Sequence, residues 1–153
     1  MIEKLPAVAD KKFLEPSAGC GNFLNYLNNY IALDIQPENN RIIKQDFLEW
    51  KTDENELITI GNPPFGSRSK TAIDFFNHSA IFSDVIGFIV PVSFMKWSVQ
   101  KELNKNFKLL DYFYLKPESF TDNGNPYSIR TVFQIWVKSG SIYDTNVDKR
   151  LVK

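Results

Sequence analysis

An Asn-Pro-Pro-Phe segment at residues 62–65 carries side chains suited by type to act on a planar amine. Its two prolines fix φ and remove two N–H donors, so the carbonyls here are rigid and face no competing donors. The Asn62 side-chain oxygen and the Pro63 carbonyl could accept both N–H groups of an exocyclic amine such as that of adenine, localising its lone pair toward an incoming methyl cation equivalent. Phe65 would stack on a base that has left its helix. The alternative is a rigid turn.

Such a transfer needs no general base, because the amine becomes acidic once methylated and then loses its proton. The sequence offers no candidate histidine–acid pair for that role. His78 is the only histidine and lies within a predicted helix, where a packing or surface role is expected. No metal-ligand set is predicted.

A glycine-containing turn at residues 15–23, Glu-Pro-Ser-Ala-Gly-Cys-Gly-Asn-Phe, lies where a predicted strand passes into a helix. Gly19 and Gly21 let the backbone approach a ligand where a Cβ would collide, and the helix that follows offers unpaired N–H groups. Glycines at strand ends most often only make turns. Leu24 stands where a dinucleotide site has a third glycine, which favours a nucleoside without phosphates.

Two acids follow this turn in an informative order. Asp34 closes the second predicted strand, about 20 residues beyond Glu15, where a carboxylate can accept both ribose hydroxyls of a nucleoside cofactor. Asp46 follows the third predicted strand and could accept a hydrogen bond from an adenine amino group. Either acid alone would be an ordinary loop residue; their order favours a nucleoside site.

Alternating short apolar runs and amphipathic stretches predict a mostly parallel sheet with helices on both faces. The run at 85–90 is apolar throughout, as in a strand covered on both faces. Strands are predicted at 12–14, 30–33, 41–43, 57–60, 85–90, 111–115 and 132–137, and helices at 22–29, 71–79 and 94–106. The last helix would place Lys101, Lys105 and Lys108 on one face, either solvated or basic.

The composition indicates one globular domain of 153 residues with 43% apolar residues and one cysteine, which excludes a disulfide framework. The N-terminus is too charged for a signal peptide, and no apolar run is long enough to span a membrane, so a cytoplasmic location is expected. Formal net charge is zero, but residues 34–56 carry seven acids and three bases, whereas residues 68–108 carry six bases and three acids. The second region could face an anion.

These segments resemble the class I S-adenosylmethionine-dependent methyltransferases, specifically the amino-methyltransferases that modify adenine N6 in DNA. Residues 15–23 resemble that family's cofactor loop, Asp34 its ribose-binding acid, Asp46 and Phe47 its adenine-binding pair, and residues 62–65 its catalytic tetrapeptide. The resemblance covers roughly residues 13–137. It implies a Rossmann-like, seven-stranded, mostly parallel sheet with one antiparallel strand in three α/β/α layers, S-adenosylmethionine as cofactor and adenine N6 as target, with DNA favoured and RNA possible.

The resemblance also implies a set of site residues. The catalytic residues would be Asn62, Pro63, Pro64 and Phe65. The cofactor would be bound by Glu15, Pro16, Ser17, Ala18, Gly19, Gly21, Asn22, Phe23, Asp34, Ile35, Asp46, Phe47 and Asn62. Arg68 is a candidate substrate contact, and either Phe120 or Tyr127, in the long loop before the last strand, could supply a second stacking face.

Restriction-modification enzymes of this type carry a region upstream of the loop and a separate target-recognition domain. Here 12 residues precede Phe13 and little follows Trp136. The expectation is therefore a single catalytic domain that relies on a partner for recognition. Its core would span about 12–137, with a polar tail or edge at 138–153. Three alternatives remain: the same chemistry on RNA or a protein glutamine, a non-catalytic partner subunit, and a dehydrogenase, which leaves residues 62–65 unexplained.

Overall fold

The computed structural model describes residues 11–116 and 130–146, which form a seven-stranded sheet. The strands are β1 (Phe13–Glu15), β2 (Tyr30–Asp34), β3 (Ile43–Lys44), β4 (Leu57–Gly61), β5 (Ser83–Pro91), β6 (Phe107–Tyr114) and β7 (Thr131–Lys138). Their order in the sheet is β3-β2-β1-β4-β5-β7-β6. The α-helices are α1 (Lys70–Phe82) and α2 (Trp97–Gln100), and 3-10 helices span Asn22–Tyr26, Phe47–Glu49, Ser67–Ser69, Val92–Met95 and Ile142–Asn146.

The first five strands pair in parallel, whereas β7 is antiparallel to both of its neighbours, β5 and β6. This arrangement confirms the predicted mostly parallel sheet with one antiparallel strand. All seven predicted strands are present, with bounds shifted by a few residues at their ends. Within the described residues, no helix has the length and apolar character needed to cross a membrane.

Both faces of the central strands are buried. In β5, Ile86, Phe88 and Val90 belong to one hydrophobic cluster, and Val85 and Ile89 belong to another. Because side chains alternate along a strand, the two clusters occupy opposite faces of the sheet. Helix α1 contributes much of the first cluster, and the 3-10 helices Asn22–Tyr26 and Ile142–Asn146 each contribute a side chain to the second.

The predicted helix at 94–106 is wrong, because the segment forms a 3-10 turn, the one-turn helix α2 and an irregular stretch before β6. Side chains from α1 compete with helical backbone bonding here: Asn77 Nδ2 donates to the Glu102 carbonyl at 2.9 Å, and Asn77 Oδ1 accepts the Asn104 N–H at 2.8 Å. The predicted lysine face is therefore wrong as well. Lys108 lies in β6 and forms an ion pair with Asp144 at 3.3 Å.

The predicted helix at 22–29 is also shorter than expected. A 3-10 helix spans Asn22–Tyr26, and Leu27 is already extended. The segment has asparagine at positions 22, 25, 28 and 29, and asparagine side chains compete for backbone hydrogen bonds in non-helical conformations.

Candidate functional site

The two predicted motifs meet at the carboxyl ends of β1 and β4, which are adjacent in the sheet. Strand order reverses here, since β2 and β3 lie on one side of β1 while β4 and β5 lie on the other. Such a switch point leaves a crevice where ligands bind in open α/β sheets. The Ser17 hydroxyl donates to the Asn62 carbonyl at 3.1 Å, which joins the glycine turn to the tetrapeptide.

A cavity of about 300 Å³ opens at this junction. Seven of its eight lining residues were predicted from the sequence as site residues. They are Pro16, Ser17, Asp34, Ile35, Phe47, Asn62 and Pro64. The eighth, Phe75, belongs to α1 and packs against Phe47 with ring centroids 5.2 Å apart. Phe75 was not predicted as a site residue. Its position in the helix that follows the tetrapeptide was the signal that could have identified it.

The Asp34 carboxylate is fixed by two backbone N–H groups. Gly19 N–H donates to Oδ2 and Gln36 N–H donates to Oδ1, each at 2.8 Å. A carboxylate oxygen accepts more than one hydrogen bond, so both oxygens can also receive hydroxyl groups. Gly19 has φ +57°, and a Cβ added there would meet nothing within 4 Å. The glycine therefore borders open space beside Asp34.

Gly21 has a different reason to be glycine. Its φ is +86°, and a Cβ there would lie 2.7 Å from Asn39 Nδ2. Asn39 Nδ2 donates to the Cys20 carbonyl at 2.8 Å and so clamps the turn. Packing of the loop thus requires this glycine. The hydrogen bond from Asn39 to the turn was not predicted from the sequence.

Glu15 is a buried acid at the end of β1, with only 2% of its surface exposed. Its Oε2 atom is buried without a hydrogen-bond partner among the described residues. Burial, with a further contribution from the charge of Asp34, raises the pKa of this carboxyl to about 8. Glu15 does not itself line the cavity, but the next residue, Pro16, does.

The two residues of the predicted adenine-binding pair lie in different surroundings. The Asp46 carboxylate accepts the Leu48 N–H at 3.0 Å and caps a short 3-10 helix, and Asp46 does not line the cavity. Phe47 is buried and lines it. The His78 ring packs edge-on against Phe47, with ring centroids 4.7 Å apart, and its Nε2 lies 2.8 Å from the Trp50 carbonyl oxygen. His78 thus has the expected packing role.

The tetrapeptide leaves β4 directly. Asn62 is half-buried, and no hydrogen bond to its side-chain amide is found within residues 11–116 and 130–146. Pro63 is buried, Pro64 is exposed and Phe65 is half-buried. The Phe65 carbonyl accepts the Ala72 N–H at 3.3 Å, which anchors the end of the segment to α1. The Asn62 amide is therefore available to a ligand at the cavity wall.

The loop after the tetrapeptide has three residues with positive φ, of which Arg68 and Ser69 are in the left-handed region. Gly66 has φ +72°, and a Cβ there would collide with the Thr71 side chain. Arg68 and Ser69 have φ +53° and +61°. Non-glycine residues in this region store backbone strain, which concentrates at functional sites.

The remaining predicted residues lie apart from the cavity wall. Ala18 is buried and its N–H donates to the Leu33 carbonyl at 2.8 Å, while Asn22 and Phe23 begin the first 3-10 helix. Arg68 lines a second cavity. The candidates Phe120 and Tyr127 lie outside the described residues. Among the described residues, no group of three or more His, Cys, Asp or Glu could hold a metal ion.

Comparison with solved structures identifies the fold. The chain superposes on a candidate RNA methyltransferase from Pyrococcus horikoshii (TM-score 0.63, 17% identity, 84% of this chain and 75% of the other). It also superposes on the 23S rRNA methyltransferase ErmE, with a TM-score of 0.62 and 12% identity over 86% of this chain and 63% of the other. A third match is the N-methyltransferase NodS from Bradyrhizobium japonicum, solved with S-adenosyl-L-homocysteine. Its TM-score is 0.58, with 11% identity over 84% of this chain and 78% of the other. The fold is that of class I methyltransferases.

One curated relative has detectable sequence similarity. The type II methyltransferase M.CvrRI of Paramecium bursaria Chlorella virus XZ-6E is 34% identical over an alignment of 83 residues, which covers 44% of this chain. The chain spans 22% of that relative's length. No protein-family model matches the sequence.

Proposed function

We propose that this chain is an S-adenosylmethionine-dependent methyltransferase domain that methylates adenine N6, with DNA as its substrate. The single observation that carries the proposal is the hydrogen bond from Ser17 to Asn62, because it brings the cofactor-loop motif and the amine-binding motif to one cavity. The methyltransferase fold supports the same assignment.

The residues that line the cavity fit S-adenosylmethionine. Asp34 accepts the ribose hydroxyls, Phe47 and Ile35 contact the adenine ring, and the turn at residues 15–23 surrounds the amino-acid end. The unpaired Oε2 of Glu15 suits a neighbouring ammonium group. When bound, the cofactor supplies an activated methyl group.

The tetrapeptide positions the target amine. The Asn62 side-chain oxygen and the Pro63 carbonyl accept its two N–H groups, which directs the nitrogen lone pair outward. Phe65 stacks on the base, and Pro64 closes the wall between base and cofactor. The amine proton leaves to solvent after methylation, so no base among the described residues is required.

Two observations favour DNA and a modular enzyme. The Glu-Pro-Ser-Ala-Gly form of the turn resembles that of DNA enzymes most, and the curated relative is a type II methyltransferase.

We propose a single catalytic domain, residues 1–153, in three α/β/α layers. It acts in the cytoplasm with a protein partner for target recognition. RNA is the second candidate substrate, because two solved structures with this fold are named for RNA methylation.

Methyl transfer from isotopically labelled S-adenosylmethionine tests the proposal. Duplex DNA, structured RNA and a protein lysate are incubated separately, digested and analysed by mass spectrometry. N6-methyladenine from DNA is the expected product. Label in RNA or in glutamine would overturn the DNA assignment, and absence of both transfer and cofactor binding would overturn the enzyme assignment.

Asn62→Ala provides the decisive variant. We expect it to lower methyl transfer by about 10²-fold or more, since it removes an acceptor that acts on the reacting amine, while cofactor affinity changes little. The exposed Asn28→Ala variant is the matched control and should keep full activity. Full activity of Asn62→Ala would contradict the proposed role.

A further inference from the structure

A second cavity, of about 530 Å³, is lined in part by the residues that follow the tetrapeptide in the chain. Its walls come from residues 67–73, which follow β4, and residues 93–102, which follow β5. The Ser69 and Ser93 hydroxyls lie 3.2 Å apart and connect the two walls. The cavity is therefore built by the same sheet edge that presents Asn62.

Positive charge dominates this second cavity. Arg68, Lys70 and Lys96 line it, against one acid, Glu102. Lys70 is already paired with Asp74 at 2.6 Å. Arg68 and Lys96 are exposed, and neither forms an ion pair with another described residue. On a chain with zero net charge, two unpaired cations around one concave surface mark a site for an anion.

An exposed tryptophan lies between two cavity-lining residues in the sequence. Trp97 lies between Lys96 and Ser98, which both line the cavity, and 77% of its own surface is accessible. A tryptophan with an accessible ring offers a stacking platform for a planar group. Cations that contact phosphates, combined with an aromatic platform for bases, are the features that bind an unpaired nucleic-acid strand.

We infer that the second cavity binds the sugar-phosphate backbone of a nucleic-acid strand, with Arg68 and Lys96 on its phosphates and Trp97 stacked on an unpaired base. The inference rests on the proposed function, since it places the strand beside the tetrapeptide that receives the target base. It adds a surface for the flanking nucleotides. DNA and RNA share this chemistry, so the experiment uses both.

Binding of fluorescently labelled single strands, about 12 nucleotides long, tests the inference on the full 153-residue chain. Anisotropy is measured with DNA and RNA strands of the same sequence between about 50 and 200 mM salt. We expect the double variant Arg68→Ala/Lys96→Ala to bind at least tenfold more weakly and to lower the salt slope by about 1.4, as loss of two phosphate contacts on a single strand predicts. Trp97→Ala should weaken binding by a similar factor without changing the slope.

The matched control removes two other cations. Lys101 and Lys105 are exposed and lie outside the cavity lining, so Lys101→Ala/Lys105→Ala changes net charge equally and should keep affinity within about twofold. Equal losses in the two double variants would overturn the inference, as would polyglutamate competing as well as the strands do. Melting temperatures of all variants identify any that fail to fold. If the double variant does not fold, Lys96→Gln, which changes a single exposed side chain, is used in its place in the same titration.

Failure of the inference and failure of the proposed function give different results. If wild-type protein methylates nucleic acid while the cavity variants bind strands normally, the inference alone is wrong. If strand binding depends on Arg68, Lys96 and Trp97 but no methyl group is transferred, the proposed function alone is wrong. Calorimetry with S-adenosylhomocysteine should give the same affinity for wild-type protein and for the cavity variants.

Discussion

The Ser17 hydroxyl and the Asn62 carbonyl, 45 residues apart in sequence, are joined by a hydrogen bond of 3.1 Å. The bond connects the loops that follow two adjacent parallel strands. The glycine turn is therefore bonded directly to the backbone that carries the Asn62 amide. This coupling makes Ser17 a positioning residue for the amine-binding segment.

Ser17→Ala should lower methyl transfer more than it lowers stability. Loss of one part-buried hydrogen bond costs about 1 kcal/mol of unfolding free energy, whereas misplacement of Asn62 should reduce kcat by about tenfold. Steady-state kinetics and thermal unfolding measure both effects. Ser141→Ala is the matched control, because Ser141 also donates to a backbone carbonyl, at 2.7 Å, far from the cavity. An unchanged kcat in Ser17→Ala would refute the coupling.

The two glycines of the turn should respond differently to alanine. Gly19→Ala places a methyl group in open space at φ +57°, so we expect about 1 kcal/mol of strain but a larger loss of cofactor affinity. Gly21→Ala brings a Cβ to within 2.7 Å of Asn39 at φ +86°, so we expect the greater loss of stability. Urea denaturation and calorimetry with S-adenosylhomocysteine distinguish these outcomes. The reverse ranking of stability would contradict the packing described for Asn39.

Glu15 should make stability fall as pH rises. Its pKa is about 8 in the folded protein, against an ordinary value of 4.5, so the folded state holds a proton that the unfolded state has lost. The resulting stabilisation is present below about pH 4.5 and is lost as pH approaches 8, at up to about 1.4 kcal/mol per pH unit. Glu15→Gln removes this dependence. Its stability relative to wild type should increase between about pH 5 and pH 8 in urea titrations, and parallel pH profiles would exclude the effect.

Arg68→Gly should stabilise the chain and weaken its hold on nucleic acid. Glycine accepts φ +53° without strain, a gain of about 0.5 kcal/mol after the entropy that glycine adds to the unfolded state. The same change removes a cation from the second cavity. Ser67→Gly, at a neighbouring position without positive φ, should destabilise instead. Thermal unfolding and strand binding report the two effects, and a lower melting temperature for Arg68→Gly would contradict the strain.

Much of the fold could be predicted from local patterns, because buried strands such as β4 and β5 have continuous apolar runs between turn residues. Seven of the predicted site residues line the cavity, since the ends of parallel strands determine where loops meet, whereas others, such as Asp46 and Phe23, do not. The break in the segment at 94–106 could not be predicted, because it depends on hydrogen bonds from Asn77, which is distant in sequence. Lys96 was missed as a site residue because it lines the same cavity as Arg68 only once β4 and β5 are paired.

The position of β7 between β5 and β6 has a consequence for biosynthesis. The second neighbour of β5 is formed by residues 131–138, so a nascent chain carries an open apolar strand edge until these residues have left the ribosome. Chains truncated before Thr131 lack every residue that pairs with this edge of β5, so they should self-associate. Formation of β7 is therefore the step that closes this apolar edge of β5.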